Sequence, residues 1–314
     1  MKRSSPDRNL SPGLLLLAVT VAASVSSAAY GQVKGDGSLR LEYQYIRTGA
    51  FDSSIGDIDI GNTDGHTLLL SVDYALTDRW TMMASLPWIK KRHQGALPHN
   101  PTLDITEWTP PDLELVDDGS YHSGLQDLYV GARYLARSGP LSIQPFVSYG
   151  VPTTNYQVYA HAALGRNVWH LPVGVAISYT PPFSDFYVDG ELSYVFTEKT
   201  LGVDISHYLL NATFGYFVTR NISPKIFFSM KHGSKGLDFP DDYDVTALND
   251  ERWYYHDRMI KHNFVNAGVG VDWIISDRYL FSFSAFTMVD PEQVNNVDRA
   301  WTAGVTYSFS RERR

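Results

Sequence analysis

His232 and Ser234, separated by Gly233, form the short motif in this sequence that could carry covalent chemistry. A histidine that accepts the proton of a serine hydroxyl turns the serine into a nucleophile, as in many hydrolases. A third, orienting residue cannot be identified. The candidates all lie in one long predicted loop: Asp238, Asp241, Asn249 and Asp250. We favour ordinary polar residues at the start of a loop as the interpretation, and keep a hydrolase as the alternative.

Acidic residues are concentrated in three long segments, where their carboxylates could bind calcium. These residues are Asp52, Asp57, Asp59 and Asp64; Asp112, Glu114, Asp117 and Asp118; and Asp238, Asp241, Asp242, Asp244, Asp250 and Glu251. Their spacing matches no EF-hand loop, and the ten histidines show no metal-ligand spacing. Solvated loops explain the clusters, and we expect no bound metal and no cofactor.

Composition excludes several classes of protein. The 314 residues include no cysteine, which excludes disulfides, thiolate zinc sites and cysteine nucleophiles. The formal charge of -8 argues against a nucleic-acid partner, because phosphate binding needs a basic face. With a mean hydropathy of -0.20 and no apolar run of 18 residues, the chain cannot be a helical membrane protein. Any membrane role must use another architecture.

The elements that must position these residues are β-strands. From Leu39 onward, apolar and polar residues alternate with period two in segments of about ten residues, with little helical pattern between them. The segment 67–76 is the clearest case, with leucine, valine and tyrosine on one face and threonine, serine and aspartate on the other. The alternation predicts twelve strands: 38–48, 65–76, 79–91, 122–135, 140–150, 166–179, 183–196, 206–218, 221–231, 261–274, 278–289 and 298–309.

Short and long connections alternate between the predicted strands. The short ones carry turn-forming residues, and the long ones cover 49–64, 92–121, 151–165, 197–205, 232–260 and 290–297. Short turns at one end, long loops at the other and an even strand number are typical of a transmembrane antiparallel up-and-down β-barrel of the outer-membrane type. Both termini then lie on the periplasmic side. A soluble sandwich or propeller would instead bury the apolar face.

Large aromatic residues lie at the ends of the apolar face, with aliphatic residues between them. Two aromatic girdles around an aliphatic band fit a bilayer and are not required by a sandwich core. The predicted girdle residues are Tyr74, Trp80, Trp88, Tyr134, Tyr149, Trp169, Tyr179, Tyr194, Trp273, Tyr279, Trp301 and Tyr307.

The opposite face of the strands should line a lumen. Its predicted polar residues are Arg40, Glu42, Asp73, Asp127, Arg133, Gln144, Asp189, Glu191, Asn211, Lys225, Lys231 and Asp272. Such a mixture could leave a narrow pore, which we favour, or could close the lumen through salt bridges such as Asp127 with Arg133 or Glu191 with Lys225. Twelve strands do not decide between the two. Inward rings could add an aromatic track for apolar solutes: Tyr129, Phe146, Tyr187, Phe217, Phe227 and Phe286.

The first 28 residues have the pattern of a signal peptide. Lys2, Arg3 and Arg8 precede an apolar run from Leu14 to Ala23, and small residues follow. The domain prediction is therefore a signal peptide over 1–28, a short periplasmic segment over 29–37, the barrel over 38–309 and a basic tail over 310–314.

The segment Gly124–Tyr134, GLQDLYVGARY, resembles the G-L-x-D-L-x-x-G-x-[KR]-Y strand of an outer-membrane family named for the meta-cleavage pathway of phenol degradation. Thr77–Trp80 with Leu86–Pro87, His256–Asp257 and the closing Gly304–Phe309 are similar too. The resemblance spans about 65–309, and its members are often described as transporters. It implies an outer-membrane barrel for uptake of aromatic or other small apolar compounds. Family members usually end at the last aromatic residue, whereas Ser310–Arg314 follows Phe309 here.

These observations predict a channel in the outer membrane of a Gram-negative bacterium for passive uptake of small molecules. Expected partners are outer-membrane lipid and lipopolysaccharide, the barrel-assembly machinery and a small-molecule solute. One alternative is a closed structural barrel. The other is a lipid-modifying enzyme, since outer-membrane phospholipases and lipid A deacylases carry a similar H-x-S pair at the lipid-facing rim. They typically read H-x-S-N, whereas Lys235 follows Ser234 here.

Overall fold

A computed structural model describes residues 32–95, 114, 116–243 and 251–310. The predicted signal peptide lies outside the described residues, as does the tail beyond Ser310. The described part is almost entirely β-structure with two one-turn helices, in the order β1 (Gly37–Ser53), β2 (Gly56–Ile58), β3 (Asn62–Ala75), β4 (Trp80–Gln94), β5 (His122–Leu125), β6 (Asp127–Tyr134), β7 (Leu141–Pro152), β8 (His170–Tyr179), β9 (Phe186–Thr197), β10 (His207–Tyr216), β11 (Ile222–His232), α1 (Glu251–Tyr254), α2 (His256–Met259), β12 (Asn263–Ser276), β13 (Tyr279–Glu292) and β14 (Asn295–Phe309).

The strands form one closed antiparallel barrel with twelve strand positions in its wall, as the alternation predicts. We call each of these positions a stave. Each stave pairs with its neighbours in sequence, and β14 pairs with β1 from Gly37 opposite Phe309 to Phe51 opposite Asn295. β5 and β6 form one stave interrupted at Gln126, since both pair with β4. β2 is a short extension paired with the end of β1. Closure leaves no free sheet edge, so every stave has two hydrogen-bonded neighbours.

Hydroxyl side chains stabilise several turns at one end of the barrel. Thr77 Oγ1 accepts hydrogen bonds from the backbone N–H of Arg79 and Trp80 at 3.2 and 2.9 Å. Thr219 Oγ1 does the same for Asn221 and Ile222. Such local side-chain to backbone bonds satisfy the donors of a tight turn. We call this end, which also holds the start of β1 and the end of β14, the short-turn end.

The opposite end, here called the long-loop end, differs from the prediction at several strand boundaries. The segment 290–297 is predicted to be a loop, but β13 continues to Glu292 and β14 begins at Asn295. This leaves a turn of only two residues. The sixth stave begins at His170 rather than at 166. Strands that project beyond an apolar environment have no reason to keep one face apolar. The period-two signal therefore fades before the strand ends.

The exterior of the barrel is apolar. Exposed residues on the middle of the staves include Leu70, Val130, Val173, Leu192, Ile226, Val269 and Val305. A soluble monomer rarely exposes an apolar patch of more than a few hundred Å², whereas this belt surrounds the whole barrel. Trp169, directly before β8, and Tyr179, at the end of β8, mark the two borders of the apolar belt. They are ten residues apart, or about 33 Å along a strand. With a tilt of about 40° that span matches a hydrocarbon core of about 25 Å.

Within the described residues, neither of the two helices is long and apolar enough to cross a membrane.

Candidate functional site

All twelve predicted lumen side chains point away from the exterior. Glu42, Asp127, Gln144 and Lys231 are buried, and the remaining eight are partly buried. On β11, Ser223, Lys225, Phe227, Ser229 and Lys231 alternate with the exposed Ile222, Pro224, Ile226 and Phe228. The period-two pattern of the sequence thus separates the inner face from the outer face. That these residues line a solute path stays a prediction.

Ion pairs link the staves in the short-turn half of the lumen. Lys225 Nζ lies 2.6 Å from Asp272 Oδ1, which also accepts a hydrogen bond of 2.7 Å from Ser282 Oγ. Arg133 Nη2 lies 3.9 Å from Glu191 Oε2. Arg40 pairs with Glu42 on its own strand. These partners differ from the predicted pairs of Asp127 with Arg133 and Glu191 with Lys225.

The charged side chains of this half leave room between the walls. The side chains of Lys225 and Asp272 remain 15% and 19% exposed, and those of Arg133 and Glu191 16% and 19%. Five acids (Glu42, Asp73, Asp189, Glu191 and Asp272) face three bases (Arg40, Arg133 and Lys225). The inner face of the short-turn half, here called the vestibule, is therefore partly solvent-accessible and moderately acidic.

Several predicted inward rings lie flat against the wall, over glycines of the next stave. Tyr187 faces Gly215 and Phe227 faces Gly268, and a Cβ atom at either glycine would collide with the ring. Tyr187 also packs on Phe217, with ring centroids 5.5 Å apart. Glycine removes the side chain that would push the ring toward the axis. The rings thereby give the inner wall an aromatic surface.

Two long connections cover the opposite end of the lumen. We call them the loop plug and define it as residues 153–169 and 237–243 together with 251–262. Their buried residues include Tyr159, Ala162, Val168, Phe239, Trp253 and Ile260. Tyr159, Phe239, Trp253 and Ile260 form one apolar cluster with Phe51 of β1 and Ile60, which anchors the plug to the wall.

Polar contacts bind the two halves of the loop plug to each other. Trp253 Nε1 donates to Tyr159 OH at 3.1 Å, and Tyr254 OH donates to Gln157 Oε1 at 2.7 Å. Arg258 Nη2 donates to the carbonyl of Asn167 at 3.0 Å. Burial, with a smaller opposing effect of the Trp253 hydrogen bond, raises the pKa of Tyr159 to about 12. The Tyr159 hydroxyl therefore stays protonated at neutral pH.

The plug is also attached to the rim of the barrel. Lys91 Nζ on β4 donates to the carbonyl of Ala163 at 2.7 Å, and Tyr156 OH donates to Asp127 Oδ1 at 2.6 Å. His170 Nδ1 lies 3.7 Å from the other oxygen of Asp127. Of the predicted lumen acids, Asp127 is therefore the one that holds a loop instead of bordering the vestibule.

Four buried basic residues, two from the loop plug and two from the neighbouring wall, form a group that the sequence did not predict. Arg166, His207 and His262 are buried together with the predicted Lys231. Burial lowers the pKa of Arg166 to about 10, against the opposing effect of Asp257. Burial and the charges of Arg166 and Lys231 hold the pKa of His262 well below its usual range. Arg166, His207 and His262 all fall within predicted strands, so strand parity could have indicated their inward direction. In the structure, Arg166 and His262 lie in the loops that precede β8 and β12.

His232 and Ser234 do not form a catalytic pair in the described part of the chain. Both side chains are exposed, and no hydrogen bond joins them or links either to a carboxylate. The neighbouring Lys235 pairs with Asp204 at 2.8 Å instead. The geometry therefore gives the hydrolase hypothesis no support. Among the described residues, no group of three potential ligands is arranged to hold a metal ion.

The predicted girdle residues follow the outer surface. Tyr74, Trp80, Trp88, Tyr149, Tyr179, Trp273 and Tyr279 are exposed. Tyr134, Trp169, Tyr194, Trp301 and Tyr307 are partly buried, in most cases by neighbouring rings. Ring-on-ring packing, such as Trp80 on Tyr134 at 5.0 Å, accounts for their lower exposure.

A closed twelve-stave barrel with an apolar exterior and a charged interior defines a transmembrane barrel of the outer-membrane type. The family model described as "Putative MetA-pathway of phenol degradation" matches residues 75–236. The chain belongs to this family, which confirms the resemblance seen in its motifs.

Solved structures are similar to the chain. An outer membrane channel from Pseudomonas putida F1 is similar with a TM-score of 0.65 and 15% identity, over 89% of this chain and 98% of that one. The translocator domain of the autotransporter NalP from Neisseria meningitidis matches with a TM-score of 0.49 and 13% identity, over 91% and 92%. No curated protein sequence matches the chain. At these identities the likeness describes the barrel architecture alone.

Proposed function

We propose that the protein is a channel in the outer membrane of a Gram-negative bacterium, through which small molecules diffuse passively. The observation that carries the proposal is the partly solvent-accessible, charged vestibule enclosed by a closed barrel with an apolar exterior. A barrel that served only as a structural element would have no use for partly exposed lysine, arginine and carboxylates in its interior. In this arrangement the short turns face the periplasm and the loop plug faces outward.

Aromatic or weakly polar organic compounds are the solutes that we favour. Rings such as Tyr187, Phe217 and Phe227 lie along the wall, and stacking on flat rings is favourable for aromatic solutes. The family description names phenol degradation, which supports the same class of compound. The loop plug would then select solutes by size, and it would have to move aside when a solute passes.

Single-channel conductance in planar bilayers tests the proposal. We expect small, discrete steps for the wild type, because the loop plug narrows the lumen. A variant with residues 157–165 replaced by a Gly-Ser linker of equal length should conduct more, since it lacks the buried Tyr159, His161 and Ala162. The matched control replaces the exposed residues Lys199, Leu201 and Gly202 of another loop by Gly or Ser and should conduct as the wild type does.

Ion selectivity provides a second measurement on the same barrel. Lys225→Gln removes one of three bases facing five acids, so the preference for cations should rise, while the glutamine amide can still donate to Asp272. If the folded, heat-modifiable wild type and the plug variant both fail to conduct, the pore is contradicted. The closed structural barrel would then replace it.

Lipid and lipopolysaccharide are proposed as partners because of basic side chains on the outer surface. Directly beyond Trp88 and Trp301 lie four basic residues: Arg47, Lys90, Arg92 and Arg299. Arg47 and Arg92 pair with Asp64 at 3.7 and 2.9 Å. Lys90 and Arg92 lie 4.6 and 4.5 Å from the ring of Tyr121. This basic band at the height of lipid headgroups suits the phosphates of lipopolysaccharide. Membrane insertion of a closed barrel would require the barrel-assembly machinery, and the signal peptide would direct export.

A further inference from the structure

The basic group formed by the loop plug and the neighbouring wall contains a lysine, Lys231, with no counter-ion among the described residues. Lys231 is 1% exposed, and its Nζ has no hydrogen-bond partner among the described residues. The charged group that acts on it most strongly there is Arg166, which is also cationic. A buried charge without a partner is strongly unfavourable, so such groups normally pair with an opposite charge.

Two neighbours share this lack of partners. Arg166 uses Nη2 for the carbonyl of Ile260 at 2.8 Å, but its Nε and Nη1 have no acceptor. Neither ring nitrogen of His262 has a partner. Three buried side chains therefore bring five unsatisfied nitrogen atoms to one place. A native interior leaves few such atoms, and each calls for an explanation.

The fold brings these side chains together from three separate segments. Lys231 lies opposite Leu209 of β10 and Phe264 of β12, so His207 and His262 are its diagonal neighbours on the inner face. Arg166 reaches the same place from the loop plug, and its charge acts on Lys231, His207 and His262. His262 has a φ of 51°, which is uncommon for a residue with a Cβ atom.

Among the described residues, no acid is one of the groups that act on Lys231 or His262. Asp257 acts on Arg166 and Lys91, while Asp127 accepts from Tyr156 and lies near His170. The charges acting on His262 are Arg166, Lys231, His256 and Lys91, all of them basic groups. The potential between Lys231, Arg166 and His262 is therefore positive.

We propose that Lys231, Arg166 and His262 form a binding site for the carboxylate group of a small organic anion, held beneath the loop plug. A carboxylate can accept several charge-assisted hydrogen bonds at once, two of them from one guanidinium. Leu209 and Phe264, which flank Lys231, would contact the apolar body of the ligand. The site rests on the proposed channel function in one respect: it would hold a solute on its way past the plug.

Benzoate binding to the detergent-solubilised full barrel, measured by isothermal titration calorimetry, tests this site. We expect binding to the wild type and at least about tenfold weaker binding to Lys231→Met, which removes the charge but keeps the volume. Lys231→Met should fold, because an apolar side chain replaces an unpaired buried charge. The control Lys235→Met removes a lysine that is 55% exposed and outside the site, and benzoate affinity should not change.

Two further probes define the chemistry of the ligand. Benzyl alcohol, which matches benzoate in shape but carries no charge, should bind at least about tenfold more weakly than benzoate. If inorganic phosphate binds and benzoate does not, the carboxylate assignment is wrong. Equal benzoate affinity in Lys231→Met and the wild type would overturn the site.

The same preparations separate the failure of the site from the failure of the channel. If the wild type conducts ions but does not bind benzoate, the site is wrong while the channel stands. If it binds benzoate through Lys231 but never conducts, the site stands and the channel is wrong.

Discussion

Gly215 on β10 and Tyr187 on β9 show how single residues shape the lumen wall. The ring lies over the glycine, and its hydroxyl accepts a hydrogen bond of 3.2 Å from Ser223 Oγ of β11. One missing Cβ thus lets three neighbouring staves interlock on the inner face, beside the ion pair of Lys225 and Asp272.

Gly215→Ala should therefore destabilise the barrel. The new methyl group would collide with the Tyr187 ring, which must leave its position and lose the Ser223 contact. Overpacking of this kind costs on the order of 1–3 kcal/mol in unfolding free energy. Urea unfolding in lipid vesicles, followed by tryptophan fluorescence, measures the difference.

Gly304→Ala is the matched control for this prediction. Gly304 also faces inward on a central part of its stave, but a Cβ there would lie 3.5 Å or more from its nearest neighbours. Its unfolding midpoint should stay close to that of the wild type. A similar loss in both variants would mean that glycine flexibility, and not the Tyr187 contact, determines stability.

Which residues face the lumen could be predicted from the sequence, but their partners could not. Strand parity assigns Lys225, Asp272, Arg133 and Glu191 to one face, because neighbouring side chains in a strand point in opposite directions. Pairing depends in addition on the register between staves. Lys225 stands opposite Gly270, so its chain extends diagonally to Asp272. Register is not encoded in the alternation itself.

At the scale of elements, the loop plug depends on a few contacts between distant segments. Arg258 follows α1, and its hydrogen bond to the Asn167 carbonyl spans 91 positions in the sequence. The same guanidinium lies 5.1 Å from the ring of Tyr255. The hydrogen bond joins the two halves of the plug, and the Tyr255 ring packs against the guanidinium that makes it.

Arg258→Ala should loosen the plug without unfolding the barrel. A lost charge-assisted hydrogen bond corresponds to about 1.5–3 kcal/mol, so local opening should become at least about tenfold more frequent. Trypsin cleavage after the buried Arg166 reports this opening, because the protease reaches that bond only when the plug moves.

Arg252→Ala is the control on the same connection. Arg252 is exposed and contributes to none of the contacts between the two plug segments that carry this argument. Cleavage after Arg166 should proceed there at the wild-type rate. If all three proteins are cleaved equally fast, Arg258 does not hold the plug.

The staves could be predicted from the sequence, whereas the plug could not, for a physical reason. A stave is encoded locally, by period-two alternation between turn-forming residues. The plug is stabilised by contacts such as Trp253 with Tyr159 and Arg166 with Ile260, each joining residues 94 positions apart. Such contacts leave no periodic signal in either segment. Arg166, His207 and His262 lie in predicted strands, but the alternation gives no hint that they meet in one basic group.

At the scale of the whole molecule, the cost of placing a charged side chain on the barrel exterior depends on its depth in the membrane. Val269 lies in the middle of β12 and is 61% exposed, and Val289 lies near the outer end of β13 and is 56% exposed. The girdle residue Trp301 pairs with Ala285, so Val289 lies four residues beyond the border of the apolar belt. The two valines are alike in chemistry and exposure but differ in depth.

Val269→Arg should cost about 2–4 kcal/mol of unfolding free energy in lipid vesicles, and Val289→Arg at most about 1 kcal/mol. A guanidinium at the middle of the hydrocarbon core loses its hydration, whereas one at the border can reach the headgroups and water. Reversible urea unfolding of both variants, with Val269→Ala to correct for lost packing, measures the contrast. Equal costs at the two positions would mean that water, and not lipid, surrounds the belt. A barrel fully surrounded by water would then need another partner to cover its apolar exterior.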